Sequence, residues 1–360
     1  MIPVFRPYYD AREEAAVVQV LRSGWIGLGP VTERFEQQFA RRVGAKYAIA
    51  VNSCTAALHI ALRLLNVGRG DEVLVPTMTF VSTAMVADYE GASPVFCDVA
   101  EDTLAMDYRD ASERHTIRTK VVVPVLYGGR PVAAPDLGVP VVYDCAHAMG
   151  AKWDAAGKIC CWSFHAVKNL ATGDGGMITL DDEEMHRRAL RLRWLGIDKS
   201  TWSRGGVERR YWWEYHIEET GFKYHMNDIN AALGVVQLEK LDEMQAIRHR
   251  LVRQYLDELA GVDGIELPRY DEASSWHLFA IRTPRRNELS TYLQEHGIST
   301  GVHYKPIHLY PLYKKYTLPV AERVWTALLT LPLFPALTSG QVSEICDRLK
   351  EGLKRLPVAV

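Results

Sequence analysis

The sequence predicts an α/β protein with a large, mostly parallel β-sheet and a smaller α/β unit after it. Short β-branched and aliphatic runs alternate with helical stretches between residues 45 and 180, which is typical of a parallel sheet buried on both faces. A strand–helix alternation returns after a long helix near residue 240. Because 360 residues exceed one ordinary domain, we predict a large domain over residues 1–240 and a small domain over residues 241–360.

The first 40 residues predict a helical lead-in to the sheet. A helix is expected over residues 10–22, followed by a glycine-rich turn at residues 24–30. A second helix is expected from Thr32, because Pro30 suits the first turn of a helix and Phe35 continues an amphipathic pattern.

Seven short apolar runs predict the strands of a seven-stranded sheet. Helical stretches separate the first of these runs, as in βαβ units. The expected strands are residues 47–51, 72–75, 94–96, 121–125, 139–143, 163–164 and 176–180, with helices at residues 56–65 and 80–88.

The C-terminal third predicts the small domain. A helix over residues 227–256, with a break near Leu241, leads into it. The elements expected next are a strand at residues 276–282, a helix at 286–296, a strand at 297–303 and a closing helix at 339–353.

The stretch 196–221 is rich in aromatic and basic residues, among them Trp202, Trp212 and Trp213. Two interpretations stay open: a long surface loop with an aromatic anchor, or a segment over a ligand site or a subunit interface. We treat these tryptophans and Trp25 as candidate contacts for a substrate or a partner subunit.

Composition and motifs exclude several classes of protein. The net charge of −2, from 42 basic and 44 acidic residues, gives no general field for nucleic acid or an anionic membrane. No apolar run of ~18 residues could span a bilayer, and residues 1–14 do not resemble a secretory signal, so we expect a cytoplasmic protein. None of the six cysteines has zinc-site spacing, which predicts no metal site. Motifs of P-loop nucleotidases, zincins and serine hydrolases are absent.

One lysine lies between strand-like segments where a ligand is expected. Lys168 belongs to the stretch 163–176, which ends in a glycine-rich turn. Asp144 follows the apolar run 139–143, and a carboxylate there is costly unless a cation or a hydrogen-bond donor pairs with it. The carboxyl ends of strands in an open α/β sheet are also where ligands bind. We therefore expect Lys168 and Asp144 in one binding site.

A phosphate site is predicted close to this pair. Residues 52–55 join a strand to a helix that starts near Ala56, and N–H groups with hydroxyls at a helix N-terminus bind phosphate. A lysine for a Schiff base, a carboxylate for a pyridinium nitrogen and a phosphate-binding turn together fit pyridoxal phosphate. Phe80 is the candidate for the flat side chain against the ring.

These residues belong to motifs that resemble those of the sugar aminotransferases of the DegT/DnrJ/EryC1/StrS family. The resemblance implies a PLP-dependent transferase of fold type I, and it runs in order along the chain from Ser23 to His308. The matching stretches are residues 23–25, 29–30, 53–58, 76–80, 91–95, 144–151, 163–169, 221–232, 275–278 and 302–308.

The resemblance implies a role for each matching residue. Lys168 corresponds to the lysine that forms the Schiff base and carries the proton between cofactor and substrate carbon. Asp144 corresponds to the carboxylate that keeps the pyridine nitrogen protonated, which makes the ring an electron sink. His147 corresponds to the residue facing the 3-oxygen of the ring, and Phe80 to the residue stacked on the ring. The residues that match the phosphate cup are Cys54, Thr55 and Ser163.

Four positions depart from the family pattern or leave alternatives open. Cys54 replaces a usual glycine or alanine and keeps the backbone donor. Lys223 stands where many members place an asparagine that reaches the phosphate from the partner subunit, and an ammonium binds phosphate as a point charge. For His225 a packing role and a binding role both stay open. For His165 we favour structural support over proton transfer.

The resemblance also implies the reaction and the assembly. We expect an aminotransferase that converts a keto-sugar, linked to a nucleotide, into its amino sugar with L-glutamate as the donor. A homodimer with a shared active site is implied, with Lys223 supplied in trans. In the family, the segment of His303, Lys305 and His308 lines the substrate side, so these residues and Trp25 are substrate candidates.

Three alternatives to this reaction remain. One is transamination of a cyclitol or another cyclic ketone, and another is a PLP-dependent sugar dehydratase, which typically has histidine in place of the lysine. The third is a non-catalytic sensor or scaffold on the same fold. The presence of both Lys168 and Asp144 favours the aminotransferase over the last two.

Overall fold

A computed structural model describes residues 1–134, 136–198, 214–314 and 316–355 of the protein. The strands β1 to β9 span Tyr47–Val51, Glu72–Pro76, Ser93–Cys97, Thr119–Val122, Val142–Asp144, Ile159–Ser163, Gly176–Leu180, Phe279–Arg282 and Leu328–Leu331. The α-helices α1 to α11 span Ala11–Ser23, Pro30–Val43, Cys54–Leu64, Ser82–Tyr89, Tyr108–Arg114, Glu183–Leu192, Asp228–Glu239, Leu241–Glu258, Arg286–Glu295, Pro319–Ala327 and Ser339–Arg355.

Seven strands form a continuous sheet in the order β1-β7-β6-β5-β4-β2-β3. The ladders β1-β7-β6-β5 and β4-β2-β3 are joined by parallel bridges from Val122 to Val141 and from Val125 to Asp144. Of these seven strands, β7 alone runs in the direction opposite to the other six. The predicted mostly parallel α/β sheet is thus confirmed, and the carboxyl ends of six strands share one edge.

Helices cover both faces of this sheet, as the apolar strands predicted. In β1, Ile49 and Val51 pack into the core on the side of α3, whereas Ala48 and Ala50 pack into the core that contains Phe35 of α2. Successive side chains of one strand therefore enter opposite cores, which explains why the strand has almost no polar residues.

The C-terminal part contains its own hydrophobic core and the antiparallel pair β8–β9. The break predicted near Leu241 is confirmed, because α7 ends at Glu239 and α8 begins at Leu241. The strand predicted over residues 297–303 is wrong: this stretch forms only two isolated bridges, Ile298 to Ile2 and Gly301 to Thr330. Four elements were not predicted: α5, α6, α10 and β9.

A buried ion pair fixes the lead-in to the junction of α7 and α8. The ammonium of Lys240 lies 2.9 Å from Oε1 of Glu13, and the two side chains are 0% and 2% exposed. Gln237 also donates to this carboxylate at 2.7 Å, and Lys240 donates to the carbonyl of Tyr8 at 3.0 Å.

Among the described residues, no helix has the length and apolar content needed to cross a membrane.

Candidate active site

Asp144 lies at the carboxyl edge of the sheet, as the last residue of β5. It is 4% exposed, and both of its oxygens accept hydrogen bonds. The hydroxyl of Thr83 donates to Oδ2 at 2.8 Å, and the backbone N–H of Ala146 donates to Oδ1 at 3.0 Å. Burial raises the pKa of Asp144, while these two donors and the charge of Lys168 act in the opposite direction. The carboxylate is therefore oriented by neutral donors from two elements.

Lys168 lies in the loop between β6 and β7, at the same edge. Its backbone N–H donates to the carbonyl of His165 at 2.8 Å, which closes a turn. Burial lowers the pKa of the Lys168 amine to about 8, and the nearby carboxylate of Asp144 opposes that shift. An amine with such a pKa is partly neutral near pH 7–8, which is the nucleophilic form that Schiff-base chemistry requires.

The loop after Lys168 is held in place from three directions. The side-chain amide of Asn169 donates to the carbonyls of Ser275 at 2.9 Å and Met149 at 3.2 Å. The hydroxyl of Tyr9, from the lead-in, donates to the carbonyl of Ala171 at 3.1 Å. Lys168 is thus carried by a loop that is anchored to distant parts of the chain.

The predicted phosphate cup is assembled at the N-terminus of α3. Ser53 caps the helix by accepting from the N–H of Ala56 at 3.1 Å, and Cys54 and Thr55 form the first turn. A Cβ atom on Gly176 would lie 2.6 Å from the nitrogen of Cys54 and 2.4 Å from the carbonyl carbon of Ser53. Glycine is therefore required where β7 passes the helix start.

Ser163 completes the predicted cup from the neighbouring strand. It is the last residue of β6, is 7% exposed, and pairs with Gly176 across the β6–β7 ladder. The sulfur of Cys54 lies 4.0 Å from Oδ1 of Asp144. The helix start, Ser163 and the carboxylate are therefore contiguous.

His147 lies just beyond β5 and is held as a neutral imidazole. The backbone N–H of Gly128 donates to Nδ1 at 3.2 Å, so the ring proton is on Nε2, which donates to the hydroxyl of Tyr304 at 3.0 Å. Burial, with smaller effects of the charges of Lys168 and His303, holds the pKa of His147 well below its usual range. His147 therefore offers one N–H donor and no charge.

Phe80 is the exposed member of this group. Its side chain is 59% exposed, and its ring centroid lies 6.4 Å from that of Tyr304. Tyr304 links Phe80 to His147, and burial followed by the charge of Asp144 raises the pKa of the Tyr304 hydroxyl. An exposed flat ring beside a hydrogen-bonded tyrosine suits stacking on a planar ligand.

The three substrate candidates near residue 305 occupy different environments. Nδ1 of His303 is 2.9 Å from the hydroxyl of Thr330, and burial, aided by Lys168, lowers the pKa of His303 to about 4. Lys305 is exposed, with its ammonium 4.8 Å from the ring centroid of Tyr310.

His308, the third candidate, is 1% exposed and lies inside the protein. Nδ1 is 2.6 Å from the hydroxyl of Thr77, and Nε2 is 3.0 Å from Oε1 of Glu322. Both ring nitrogens thus have hydrogen-bond partners within the chain, and His308 connects the segment that contains Tyr304 to the end of β2.

Trp25, Lys223 and His225 lie away from Lys168 in sequence and have partners within the chain. Nε1 of Trp25 donates to the carbonyl of Leu28 at 3.1 Å. The ammonium of Lys223 lies 3.4 Å from the ring centroid of Trp194, and the same ring meets His225 edge-on at 4.3 Å.

The backbone of Lys223 lies beside the predicted phosphate cup. Its carbonyl accepts from the side chain of Asn52 at 3.4 Å, while its exposed ammonium covers Trp194. The predicted contacts of Trp202, Trp212 and Trp213 lie outside the described residues. His165 is exposed.

Four residues of the site were not identified from the sequence: Thr83, Asn169, His277 and Tyr304. His277 belongs to the site because Nδ1 lies 3.1 Å from Oδ1 of Asn169 and its ring centroid lies 4.3 Å from that of His147. Asn169 directly follows Lys168, and Tyr304 directly follows His303. Their positions next to candidate residues could therefore have identified them from the sequence. Thr83 lies one turn after Phe80 in chain order, and its contact with Asp144 depends on how α4 packs against β5.

The site fits pyridoxal phosphate. It combines a backbone cradle at a helix N-terminus that a Cβ at Gly176 would fill, a buried carboxylate and an amine of lowered pKa. No cluster of metal-binding side chains occurs among the described residues. Cys54, Thr55 and Ser163 would hold the phosphate, Asp144 the ring nitrogen and Lys168 the aldehyde carbon.

Solved structures with the same fold support this interpretation. Spr1654 of Streptococcus pneumoniae, named as a sugar aminotransferase and solved in its PMP form, superposes with a TM-score of 0.91 at 32% identity, over 99% of this chain and 100% of that chain. Its PLP form gives a TM-score of 0.89. The aminotransferase TlmJ of Streptoalloteichus hindustanus gives a TM-score of 0.90 at 36% identity, over 98% and 99% of the two chains. Fold and site together define a PLP-dependent aminotransferase.

Sequence comparison gives the family. The spore coat polysaccharide biosynthesis protein SpsC of Bacillus subtilis is 36% identical over 380 residues, covering 98% of this chain and 97% of SpsC. The model of the DegT/DnrJ/EryC1/StrS aminotransferase family matches residues 7–350, and the chain belongs to that family.

Proposed function

We propose that this aminotransferase converts the ketone of a nucleotide-linked keto-sugar into an amine, with L-glutamate as the amino donor. The observation that carries the proposal is the pairing of Lys168, whose pKa burial lowers to about 8, with the buried carboxylate of Asp144 at one sheet edge. The names of Spr1654 and SpsC, a sugar aminotransferase and a polysaccharide biosynthesis protein, support a sugar as substrate.

The residues of the chain divide the work of the reaction. When bound, the cofactor supplies an aldehyde that takes up an amine and a ring that accepts electrons from the substrate carbon. Asp144 would keep the proton on the ring nitrogen, and the amine of Lys168 would hold the aldehyde carbon and carry a proton as a general base and acid. With the cofactor bound, His147 would donate its Nε2–H to the 3-oxygen of the ring in place of the hydroxyl of Tyr304.

A charged substrate would enter past Lys305 and Phe80. Lys305 is exposed one residue beyond Tyr304 and carries a charge that suits a diphosphate. Phe80 exposes most of its ring beside Tyr304, which suits a flat or cyclic ligand.

The assembly in this proposal is a homodimer with Lys223 donated to the partner's phosphate site. Support comes from Leu195 and Ile217, which are 44% and 64% exposed. The N–H of Leu195 donates to the carbonyl of Phe222 at 2.9 Å, next to Lys223. The proposal also keeps the division of the chain at residues 240 and 241. It is supported by the C-terminal core, to which Ile2 is the one contributor from before residue 241 among the described residues.

The test is a panel of nucleotide-linked keto-sugars, each incubated with glutamate and assayed for 2-oxoglutarate. At least one should be aminated, and Lys168→Ala and Asp144→Ala should each abolish most turnover. Turnover only with cyclic ketones that carry no nucleotide would overturn the substrate assignment. Near-normal turnover by Asp144→Ala would overturn the assignment of the site.

A further inference from the structure

A column of three packed rings runs from the N-terminal segment to His147. The ring of Phe5 lies parallel to that of His277, with centroids 5.1 Å apart and 4° between the planes. His277 in turn packs against His147, with ring centroids 4.3 Å apart. These residues, here called the ring column, come from three parts of the chain that are distant in sequence.

His277 is fixed within the column by the residue that follows Lys168. The side-chain amide of Asn169 donates to the carbonyls of Ser275 and Met149, so its Oδ1 is the atom facing His277. Oδ1 accepts from Nδ1 of His277 at 3.1 Å, which places the imidazole proton on Nδ1. His277 is 1% exposed, so its ring has little freedom to rotate.

Phe5 is fixed at the other end by backbone contacts on both sides. Ile2 forms a parallel bridge with Ile298, and the carbonyl of Val4 accepts from the N–H of Leu333 at 3.1 Å. On the other side, the carbonyl of Tyr8 accepts from the buried ammonium of Lys240. These backbone contacts lie outside the active site, and the ring of Phe5 also meets His303 edge-on, with centroids 5.4 Å apart.

We propose that Phe5 and His277 are positioning residues that hold the imidazole of His147 in the orientation in which its Nε2–H is offered to the 3-oxygen of pyridoxal phosphate. This inference rests on the role proposed above for His147. Two hydrogen bonds reach His147: Gly128 donates to Nδ1 at 3.2 Å, and Nε2 donates to the hydroxyl of Tyr304 at 3.0 Å. The 3-oxygen of the cofactor would take the Nε2–H from Tyr304. Gly128 then remains as the fixed partner within the chain, and that one hydrogen bond does not fix the plane of the ring. The ring of His277, which packs against His147 at a tilt of 41°, supplies the further constraint. The parallel ring of Phe5 supports His277 in turn.

The column also keeps the surroundings of His147 uncharged. Burial first, and then the charges of Lys168 and Arg248, hold the pKa of His277 well below its usual range. The titratable groups around His147 are the neutral side chains of His277, His303, Tyr127 and Tyr304, with Lys168 as the nearby amine. A change in the column should register in the ionisation of the bound cofactor as well as in turnover.

The experiment compares Phe5→Leu and Phe5→Tyr in two measurements. Pyridoxal phosphate affinity is measured by fluorescence titration of the apoenzyme, and the visible spectrum of the holoenzyme is followed against pH. Phe5→Leu keeps an apolar side chain but loses the stacked ring, so affinity should fall about two- to tenfold. The midpoint pH of the spectral titration should move in the same direction as in the His147→Asn variant. The Phe5→Tyr variant, which keeps the stacked ring, should show the wild-type affinity and the wild-type midpoint.

A control and a double variant separate positioning from general stability. His249→Gln removes another partly buried histidine, which contacts the hydroxyl of Tyr270 at 2.8 Å, and should change neither measurement. In the His147→Asn background, Phe5→Leu should have no further effect, because its influence passes through His147. An unchanged affinity and spectrum in Phe5→Leu would overturn the inference while the proposed function stands. An unchanged spectrum in His147→Asn would overturn the role of His147 itself.

Discussion

The hydroxyl of Thr83 donates to Oδ2 of Asp144 at 2.8 Å and thereby ties α4 to the end of β5. The same hydroxyl oxygen lies 3.0 Å from that of Thr79, the residue before Phe80. The carboxylate and the loop that carries the exposed aromatic ring are therefore parts of one hydrogen-bonded unit.

Thr83→Val keeps the shape of the side chain and removes the donor to Asp144. A hydrogen bond to a charged group contributes about 1.5–3 kcal/mol, so kcat should fall roughly ten- to hundredfold. Steady-state kinetics with saturating cofactor give the measurement, and Thr83→Ser, which keeps the hydroxyl, should remain close to wild type. Equal kcat values for the valine and serine variants would show that this donor does not support Asp144.

The lowered pKa of Lys168 predicts the pH dependence of cofactor capture. Only the neutral amine attacks the aldehyde, so the rate at which the apoenzyme binds pyridoxal phosphate should rise about tenfold per pH unit. The rise should level off near pH 8, the value to which burial lowers the pKa of Lys168. Stopped-flow absorbance measures this rate. A rate still rising at pH 10 would contradict the burial of the amine.

Asp144→Asn tests whether the charge of Asp144 raises the pKa of Lys168. The negative charge of Asp144 raises the pKa of Lys168 against the effect of burial. In Asp144→Asn, the pH at which the rate of cofactor capture reaches half of its maximum should therefore be lower than in the wild type. A midpoint that moves upward would mean that the carboxylate does not act on the amine through its charge.

The pair Lys168 and Asp144 could be predicted from the sequence because each adjoins a strand, and parallel strands bring their carboxyl ends to one edge. Tyr304 could not be placed, since its contact with His147 joins residues 157 positions apart and no local pattern encodes it. Phe5 and His277 were missed for the same reason. These side chains meet only because the lead-in crosses from the C-terminal core to the sheet.

Two errors in secondary structure have identifiable causes. In the stretch 297–303 the β-branched residues Ile298, Thr300 and Val302 stand at alternate positions, as in a strand. Gly297, however, has φ of 77° and turns the chain. β9 follows α10 directly, at Leu328 after Ala327, so no turn residue marks its start. In both places the pairing with a distant segment decides the structure.

Gly176→Ala should damage the phosphate cup. The added Cβ would lie 2.4 Å from the carbonyl carbon of Ser53 and 2.6 Å from the nitrogen of Cys54, so α3 would have to move away from β7. Overpacking of this kind destabilises by about 1–3 kcal/mol. Pyridoxal phosphate affinity and the melting temperature should both fall. Gly27→Ala, with nothing within 4 Å of the new atom, should leave both unchanged.

Lys240→Met should strongly destabilise the protein. The substitution leaves the carboxylate of Glu13 buried without its cation, which costs about 3–5 kcal/mol. Denaturation by urea measures the loss, and the added change Glu13→Gln should recover most of it. Arg323→Met, which breaks an ion pair whose side chains are 59% and 54% exposed, should cost at most about 1 kcal/mol. Equal losses of stability for Lys240→Met and Arg323→Met would contradict the contribution assigned to the buried pair.

The single reversed strand of the sheet has a consequence for synthesis on the ribosome. Among the strands in the described part of the chain, β1 forms a ladder with β7 alone, with Tyr47 opposite Leu180, and β7 connects it to the rest of the sheet. At about 5–20 residues per second, the first strand leaves the ribosome roughly 6–26 s before its partner exists. For that time Ile49 and Val51 have no sheet to join, so the nascent chain depends on α1–α3 or a chaperone to cover them.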